Sequence, residues 1–256
     1  MFNPQSRVRS IARNYLRAFH PGFAGLHGDR ILRTLVRRLV NRYGITACIE
    51  TGTYQGETAI FLARLNPSLP VYTCEIDGLA YEAASARFVD FANIMISRSS
   101  SPSFLKDLID AKCCGELPLF WLDAHWLEYW PLRDELALIT NQPHAAVIMI
   151  DDFEVPGKPQ FGFDSTADYE AGAGVSEPTA CGTDYVRPAL NSGATYTIWL
   201  PAYHRKQAFP FWDLRPLRGY SLIIMNSPSL SSSLEEDPFL RRFFELQGPL
   251  CFSPNE

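Results

Sequence analysis

The residues of this chain that could do chemistry are carboxylates, glycines and a histidine at the ends of short apolar runs. Glu50-Thr51-Gly52-Thr53-Tyr54-Gln55-Gly56 puts an acid and two glycines in one turn, and Glu75 and Asp77 end the next apolar run. Glycine lets a backbone approach a ligand that a Cβ would obstruct. A carboxylate at a strand tip can accept both hydroxyl hydrogens of a ribose. Further along, Asp123, followed by His125, and the pair Asp151-Asp152 end two more apolar runs. Carboxylates brought together repel one another and call for a cation or strong donors; hard oxygen ligands suit Mg²⁺. A plainer reading is also open, with Asp123 capping a helix, Asp151 or Asp152 capping a loop, and the glycines forming an ordinary turn.

The elements that must position these residues alternate. Strand-type runs at Ala47–Ile49, Val71–Ile76, Asn93–Ser97, Leu117–Asp123 and Ala145–Asp151 are separated by helix-type runs at Thr58–Ala63, Ser103–Ala111 and Pro131–Thr140. Thr195–Leu200 and Tyr220–Met225 add two strands. This rhythm predicts an α/β fold: a doubly wound, mainly parallel, seven-stranded Rossmann-like sheet with N-terminal helices. In such a sheet the acid-tipped ends are neighbours on the face where ligands bind. The expected divisions are an extension over 1–43, a cofactor-binding domain over 44–228, and a linker with a short helix (Leu234–Leu246) over 229–256, Ser227–Ser233 being the linker. Residues 153–184, rich in Gly, Pro and acids, read as a substrate-covering lid or a disordered insertion. Within them Asp164, Asp168, Tyr169, Asp184 and Tyr185 are either hydroxyl-binding or part of a solvated loop.

At 256 residues, 46% hydrophobic and 13% aromatic, the chain has the composition of a soluble globular protein. It shows no run long enough to span a bilayer and no secretory leader. Six cysteines without a Cys-x-x-Cys pair fit free thiols in a reducing, cytoplasmic compartment. Net charge is −5, yet residues 1–43 hold nine arginines against Asp29 alone. Two amphipathic helices, Ser6–Phe19 and Asp29–Tyr43, account for this stretch. For the first, a cap over the site, a homodimer contact and binding to an anionic membrane surface are all open. The acidic remainder gives no support to nucleic-acid binding.

Glu50 stands where a dinucleotide fingerprint has its first glycine. An acid there would repel a pyrophosphate but suits a positively charged ligand. The stretch resembles the acid-x-Gly-x-x-x-Gly motif of class I S-adenosylmethionine-dependent methyltransferases, whose cofactor carries sulfonium and ammonium groups. Trp121-Leu-Asp-Ala-His-Trp126 and Met149-Ile-Asp-Asp-Phe153 resemble the metal-binding segments of catechol-type and macrolide or aminocoumarin sugar O-methyltransferases. The resemblance implies Asp123, Asp151 and Asp152 as Mg²⁺ ligands. It implies cofactor contacts from Glu50, Thr51, Gly52, Thr53 and Tyr54, and from Gly56, Glu57 and Thr58 at the helix start. Glu75, with Ile76 and Asp77, would hold the ribose, Ser99 and Ser100 would lie beside adenine, and Asp123 would complete the set.

The catechol-type enzymes place a lysine shortly after the strand-four Asp; Leu127 and Glu128 stand there in this chain. The candidate bases are then His125 and Asp123. The implied function is methyl transfer to a hydroxyl of a small molecule, a sugar or polyhydroxylated compound first, with Mg²⁺ assistance. The rivals are a metal-independent methyltransferase and a cofactor-binding protein without transfer activity.

Overall fold

Eight strands form one sheet in the computed structural model, which describes residues 25–125, 129–169, 178–211 and 213–249. The first half runs α1 (Arg30–Arg42), β1 (Ala47–Thr51), α2 (Glu57–Leu65), β2 (Val71–Glu75), α3 (Gly78–Arg87), β3 (Ile94–Arg98) and α4 (Ser101–Asp110). Next come β4 (Pro118–Leu122), α5 (Leu132–Thr140), β5 (Ala146–Asp151), β6 (Phe161–Gly162), α6 (Thr166–Tyr169) and α7 (Thr183–Val186). The chain ends with β7 (Tyr196–Pro201), α8 (Arg205–Ala208), β8 (Leu217–Arg218), β9 (Tyr220–Met225), α9 (Pro228–Glu236), α10 (Pro238–Phe243) and β10 (Phe244–Pro249).

The sheet order is β10-β7-β9-β5-β4-β1-β2-β3. From β3 to β5 every pairing is parallel, and the β5–β9, β9–β7 and β7–β10 pairings are antiparallel. All residues of β1, β4 and β5 are buried, as expected for continuous apolar strands covered on both faces. The expected doubly wound, mainly parallel sheet is therefore present, with one strand more than the seven read from sequence.

That extra strand corrects the C-terminal reading. Ser227–Ser233 is not a linker: Pro228 opens α9, because proline is tolerated in a first helical turn. Leu234–Leu246 is not one helix. Asp237 and Pro238 break it, Asp237 capping α10 through the Phe239 N–H at 2.8 Å, and Leu246 lies in β10. The N-terminal helix Ser6–Phe19 lies outside the described residues. The second, α1, buries Ile31, Leu32, Leu35, Val36, Leu39 and Val40 at helical spacing. These residues share one core with the sheet and with Leu234, Leu240 and Phe244 near the C-terminus. No described helix is long and apolar enough to cross a membrane, and the described cysteines are free thiols.

Asp237 ties the two ends of the fold together. The Arg38 guanidinium of α1 donates to both its carboxylate oxygens, at 2.8 and 2.6 Å, and the Tyr43 hydroxyl donates at 2.6 Å. Burial would raise the Asp237 pKa, but the hydrogen bonds from Arg38, Tyr43 and the Phe239 N–H outweigh it and hold it below the usual carboxylate value. Asp237→Ala removes a helix cap and leaves Arg38 without its anion. Urea unfolding should show a loss of about 3 kcal/mol, with Asp237→Asn losing less because it keeps the cap.

Candidate active site

The glycine turn meets the tip of β4 at close range. Gly52 is left-handed (φ +86°), and a Cβ there would lie 2.6 Å from the Asp123 carbonyl oxygen. Gly56 is also left-handed (φ +78°), and its Cβ would strike the Phe88 ring at 2.5 Å. Both glycines are thus demanded by the protein's own packing as well as by the turn. Glu75 braces this turn: its Oε2 accepts the Tyr54 N–H at 2.7 Å and its Oε1 the Asp77 N–H at 2.9 Å. A carboxylate has about four lone-pair sites, so roughly two remain for a ligand.

A pocket opens beside the turn, lined by Leu26, His27, Glu50, Gly52, Thr53, Tyr54, Glu57, Thr58, Trp121 and Asp123. Glu50 is buried and accepts from the Thr73 hydroxyl at 2.6 Å, which is itself 2.5 Å from the Thr53 hydroxyl. Burial raises the Glu50 pKa to about 8, against the opposing Thr73 hydrogen bond and with the help of the Glu57 and Glu75 charges. A cationic ligand would recover the ionised form. The buried indole N–H of Trp121, in the same wall, has no hydrogen-bond partner among the described residues. Of the remaining candidates, Thr51 is buried in β1 and its hydroxyl accepts the Asp123 N–H at 3.3 Å. Asp77 caps α3, accepting from Ala80 N–H at 2.8 Å. Ile76 is exposed, and Ser99 and Ser100 lie at the β3–α4 junction on the same end of the sheet.

Asp123 also lines a second pocket, with His125, Trp130, Glu135, Asp151, Asp152 and Asp164 among its walls. The structure therefore brings Asp123, Asp151 and Asp152 together, as the sequence suggested. What it adds is their positive partners. His27 Nε2 lies 2.8 and 2.7 Å from the two Asp151 oxygens. Arg218, from β8, pairs with Asp152 through Nε and with Asp164 through Nη2, the latter at 2.6 Å.

The electrostatics follow from this pairing. Burial would raise Asp151, but the His27 charge and hydrogen bond bring it below the usual value. Asp123 is raised well above the ordinary value by burial, by the charges of Asp151 and Asp152, and by its hydrogen bond to Asp151. Asp152 is raised by burial and by Asp151, with Arg218 opposing; Asp164 is raised to about 7 by burial and then by Asp152. For His27, burial lowers the pKa, and the Asp151 charge and hydrogen bond more than reverse it, leaving it above 6.5.

His27 reaches this place through a strained turn. Leu26 and His27 (both φ +55°) and Gly28 (φ +69°) are successive left-handed residues. Each non-glycine residue there costs about 1–2 kcal/mol. Surrounding contacts fix the turn: Leu26 is buried and its N–H donates to Thr58 Oγ1 at 3.2 Å, Arg215 Nη1 donates to the His27 carbonyl at 2.7 Å, and Asp29 caps α1.

The expected Mg²⁺ arrangement can be tested on these donors. The described His, Cys, Asp and Glu atoms that converge are those of His27, Asp151 and Asp152, within 4.8 Å of one another. Asp123, expected as a ligand, is not in that set; its carboxyl leans on Asp151. Mg²⁺ demands near-octahedral oxygen ligation. Here Asp151 is taken by a histidine and Asp152 by an arginine, so the donors as arranged do not fit that ion.

His125 is exposed at the rim of the acidic pocket, next to residues 126–128, which lie outside the described residues, Trp126 among them. The expected lid is partly built into the site. The Asp164 N–H donates to the Asp152 carbonyl at 2.9 Å, and β6 pairs with β8, which carries Arg218. Residues 170–177 of it are outside the described residues, as is the side chain of Tyr169. Asp168 instead accepts from Ser165 within its own turn, Asp184 is exposed, and Tyr185 is buried against Trp130 with ring centroids 4.5 Å apart.

Sequence reasoning missed His27, Arg218 and Glu135. Gly25-Leu-His-Gly28 carried a signal, two glycines bracketing a histidine before a capped helix, but nothing in the local pattern showed where it would reach. Glu135 is 0% exposed and both its carboxylate oxygens lack a hydrogen-bond partner at bonding distance among the described residues. Burial raises its pKa to about 7, with the Ser101 and Thr51 hydroxyls opposing. An acid with a raised folded-state pKa supports folding fully below its unfolded value and loses that support as pH rises through the folded value. Between roughly pH 4.5 and pH 7 Glu135 should thus weaken the fold progressively. Glu135→Gln should remove that slope, by a few kcal/mol, in denaturation followed across this window.

No family model matches the chain, and a search of curated proteins gives no match. Among solved structures, the O-methyltransferase TomG from Streptomyces achromogenes, involved in tomaymycin synthesis and crystallised with SAM, is similar with a TM-score of 0.51. It is 16% identical, and the match covers 76% of this chain and 79% of TomG. Cofactor-bound Rv0187 from MTB has a TM-score of 0.50 at 16% identity, over 84% of this chain and 89% of its own. With the strand order and the glycine turn, these likenesses show that the chain has the Rossmann-like fold of class I methyltransferases.

Proposed function

We propose that this chain transfers a methyl group from S-adenosylmethionine to a hydroxyl oxygen of a small molecule, with a sugar or other polyhydroxylated compound as the favoured acceptor class. The observation that carries the reading is Asp123 standing in the wall of both pockets. One pocket has a buried acid, Glu50, suited to a cationic ligand, with the ribose-type acid Glu75 at the neighbouring strand tip. The other is lined by carboxyl groups that can accept hydroxyl hydrogens. A ligand in each would meet beside Asp123.

Bound in the first pocket, the cofactor supplies a methyl carbon already activated by its sulfonium. The chain's own work is then alignment and proton handling. Glu50 balances positive charge, Glu75 orders the glycine turn while offering its remaining lone pairs, and the Trp121 N–H gives the wall a further donor. The second pocket orients the acceptor through Asp123, Asp152 and Asp164. Because Asp151 is already partnered by His27 and Asp152 by Arg218, the reading needs no divalent ion. The TomG and Rv0187 structures, with their bound cofactors, support the cofactor assignment by fold alone.

Calorimetry with S-adenosylhomocysteine should show binding to the wild type, and Glu75→Ala should weaken it by roughly 10- to 100-fold, the range for hydrogen bonds to a charged group. No binding by the wild type, or preferential binding of NADH, would remove the reading; binding without transfer to any of a panel of sugars and catechols would leave a cofactor-binding protein. Mg²⁺ should leave the melting temperature unchanged. A stabilising Mg²⁺ response that disappears in the Asp151→Asn, Asp152→Asn double variant would restore the metal-assisted route.

A further inference from the structure

We infer that His27, oriented by Asp151, is the base that removes the proton of the acceptor hydroxyl, in place of His125 and Asp123; the inference rests on the methyl-transfer reading above. Four observations converge on this residue. His27 lines the cofactor-side pocket with Gly52 and Asp123, while its Nε2 contacts Asp151, which lines the acceptor-side pocket. It therefore stands at the junction where a hydroxyl oxygen and a methyl carbon would meet. Its side chain is 28% exposed, whereas that of its partner Asp151 is 2% exposed. The buried carboxylate is the orienting group and the ring is the part a ligand can reach.

The third observation is the tautomer this pairing imposes. Nε2 lies within hydrogen-bonding distance of both Asp151 oxygens, and a carboxylate can only accept, so Nε2 carries the hydrogen. No hydrogen bond to Nδ1 is present among the described residues, which leaves it as the accepting nitrogen of the neutral ring. An acid fixing one nitrogen so that the other serves as base is a recurrent solution in unrelated enzymes. The fourth is strain. Left-handed backbone at a non-glycine residue persists where the surroundings enforce it, and such outliers cluster at functional sites. Here the Leu26, Arg215 and Asp29 contacts hold His27 in that conformation.

The step balances without a further reactant. As an oxygen lone pair forms the bond to the methyl carbon, the C–S bonding pair stays with sulfur and the hydroxyl proton passes to Nδ1. The resulting imidazolium sits against the Asp151 carboxylate and returns its proton to solvent from the exposed side of the ring. The charged groups around the ring come from several elements: Asp151 and Asp152 at the β5 tip, Arg218 on β8 and Asp29 before α1, with Asp123 in the same pocket wall and Arg215 donating to the His27 carbonyl.

Two measurements on the full chain test this. Long-range ¹H–¹⁵N correlation reads the tautomer directly; neutral His27 should be protonated on Nε2 and bare at Nδ1. The opposite tautomer overturns the proposal whether or not an acceptor has been found. In the second, His27→Gln should bind S-adenosylhomocysteine within about threefold of wild type while methyl transfer to catechol and to methyl glucoside falls roughly 100-fold or more. The variant should also lose the rise of kcat with pH, and Asp151→Asn should retain that rise with its midpoint at lower pH. An unchanged rate and pH profile in His27→Gln would overturn the assignment. Failure of the wild type to bind S-adenosylhomocysteine would instead sink the methyl-transfer reading, a result distinct from either.

Discussion

Carboxyl groups crowded together at the tips of parallel strands repel one another unless they are protonated or given positive partners, and much of this molecule is arranged around supplying such partners. Asp123, Asp151, Asp152 and Asp164 converge in one pocket, and like charges at that range raise one another's pKa. Two cations answer them from opposite ends of the chain. Arg218 arrives on the two-residue strand β8, whose pairing with β6 also fixes the segment bearing Asp164. His27 arrives on a left-handed turn before α1. Neither element belongs to the strand–helix alternation that builds the sheet, yet both are needed for the sheet's acidic end to be stable.

This explains which parts of the site could be read from the sequence. The acids at strand tips were legible because each ends an apolar run, and the alternation of runs tells which tips share a face. Glu50, Gly52, Glu75, Asp123, Asp151 and Asp152 all fall where that logic puts them. Their partners were not legible, because a salt bridge between residues 152 and 218, or 27 and 151, leaves no local pattern. The same holds at the C-terminus. Pro238 after Asp237 is a helix-start signal, but that Leu246 extends the sheet depends on the exposed edge of β7, a tertiary fact.

The glycines show a subtler difference between pattern and cause. Read along the chain, Gly52 and Gly56 leave room for a ligand. In three dimensions the space at Gly52 is filled by the backbone after β4, and that at Gly56 by Phe88. The turn binds nothing through these missing side chains directly. Their absence lets two strand tips close on each other, and this closeness allows Asp123 to serve two pockets at once.

The Arg38–Asp237 clasp gives the chain's tail a part in its chemistry. α1 is the rigid body from which the His27 turn departs, and α1 is fastened through Arg38 and Tyr43 to a single carboxylate near the C-terminus. The helix that carries that carboxylate touches neither pocket. It nevertheless acts as an anchor post: trimming the chain before residue 237 would slacken the mooring of the element that delivers His27 to the acids. Tail and active site are thus joined by leverage rather than by contact.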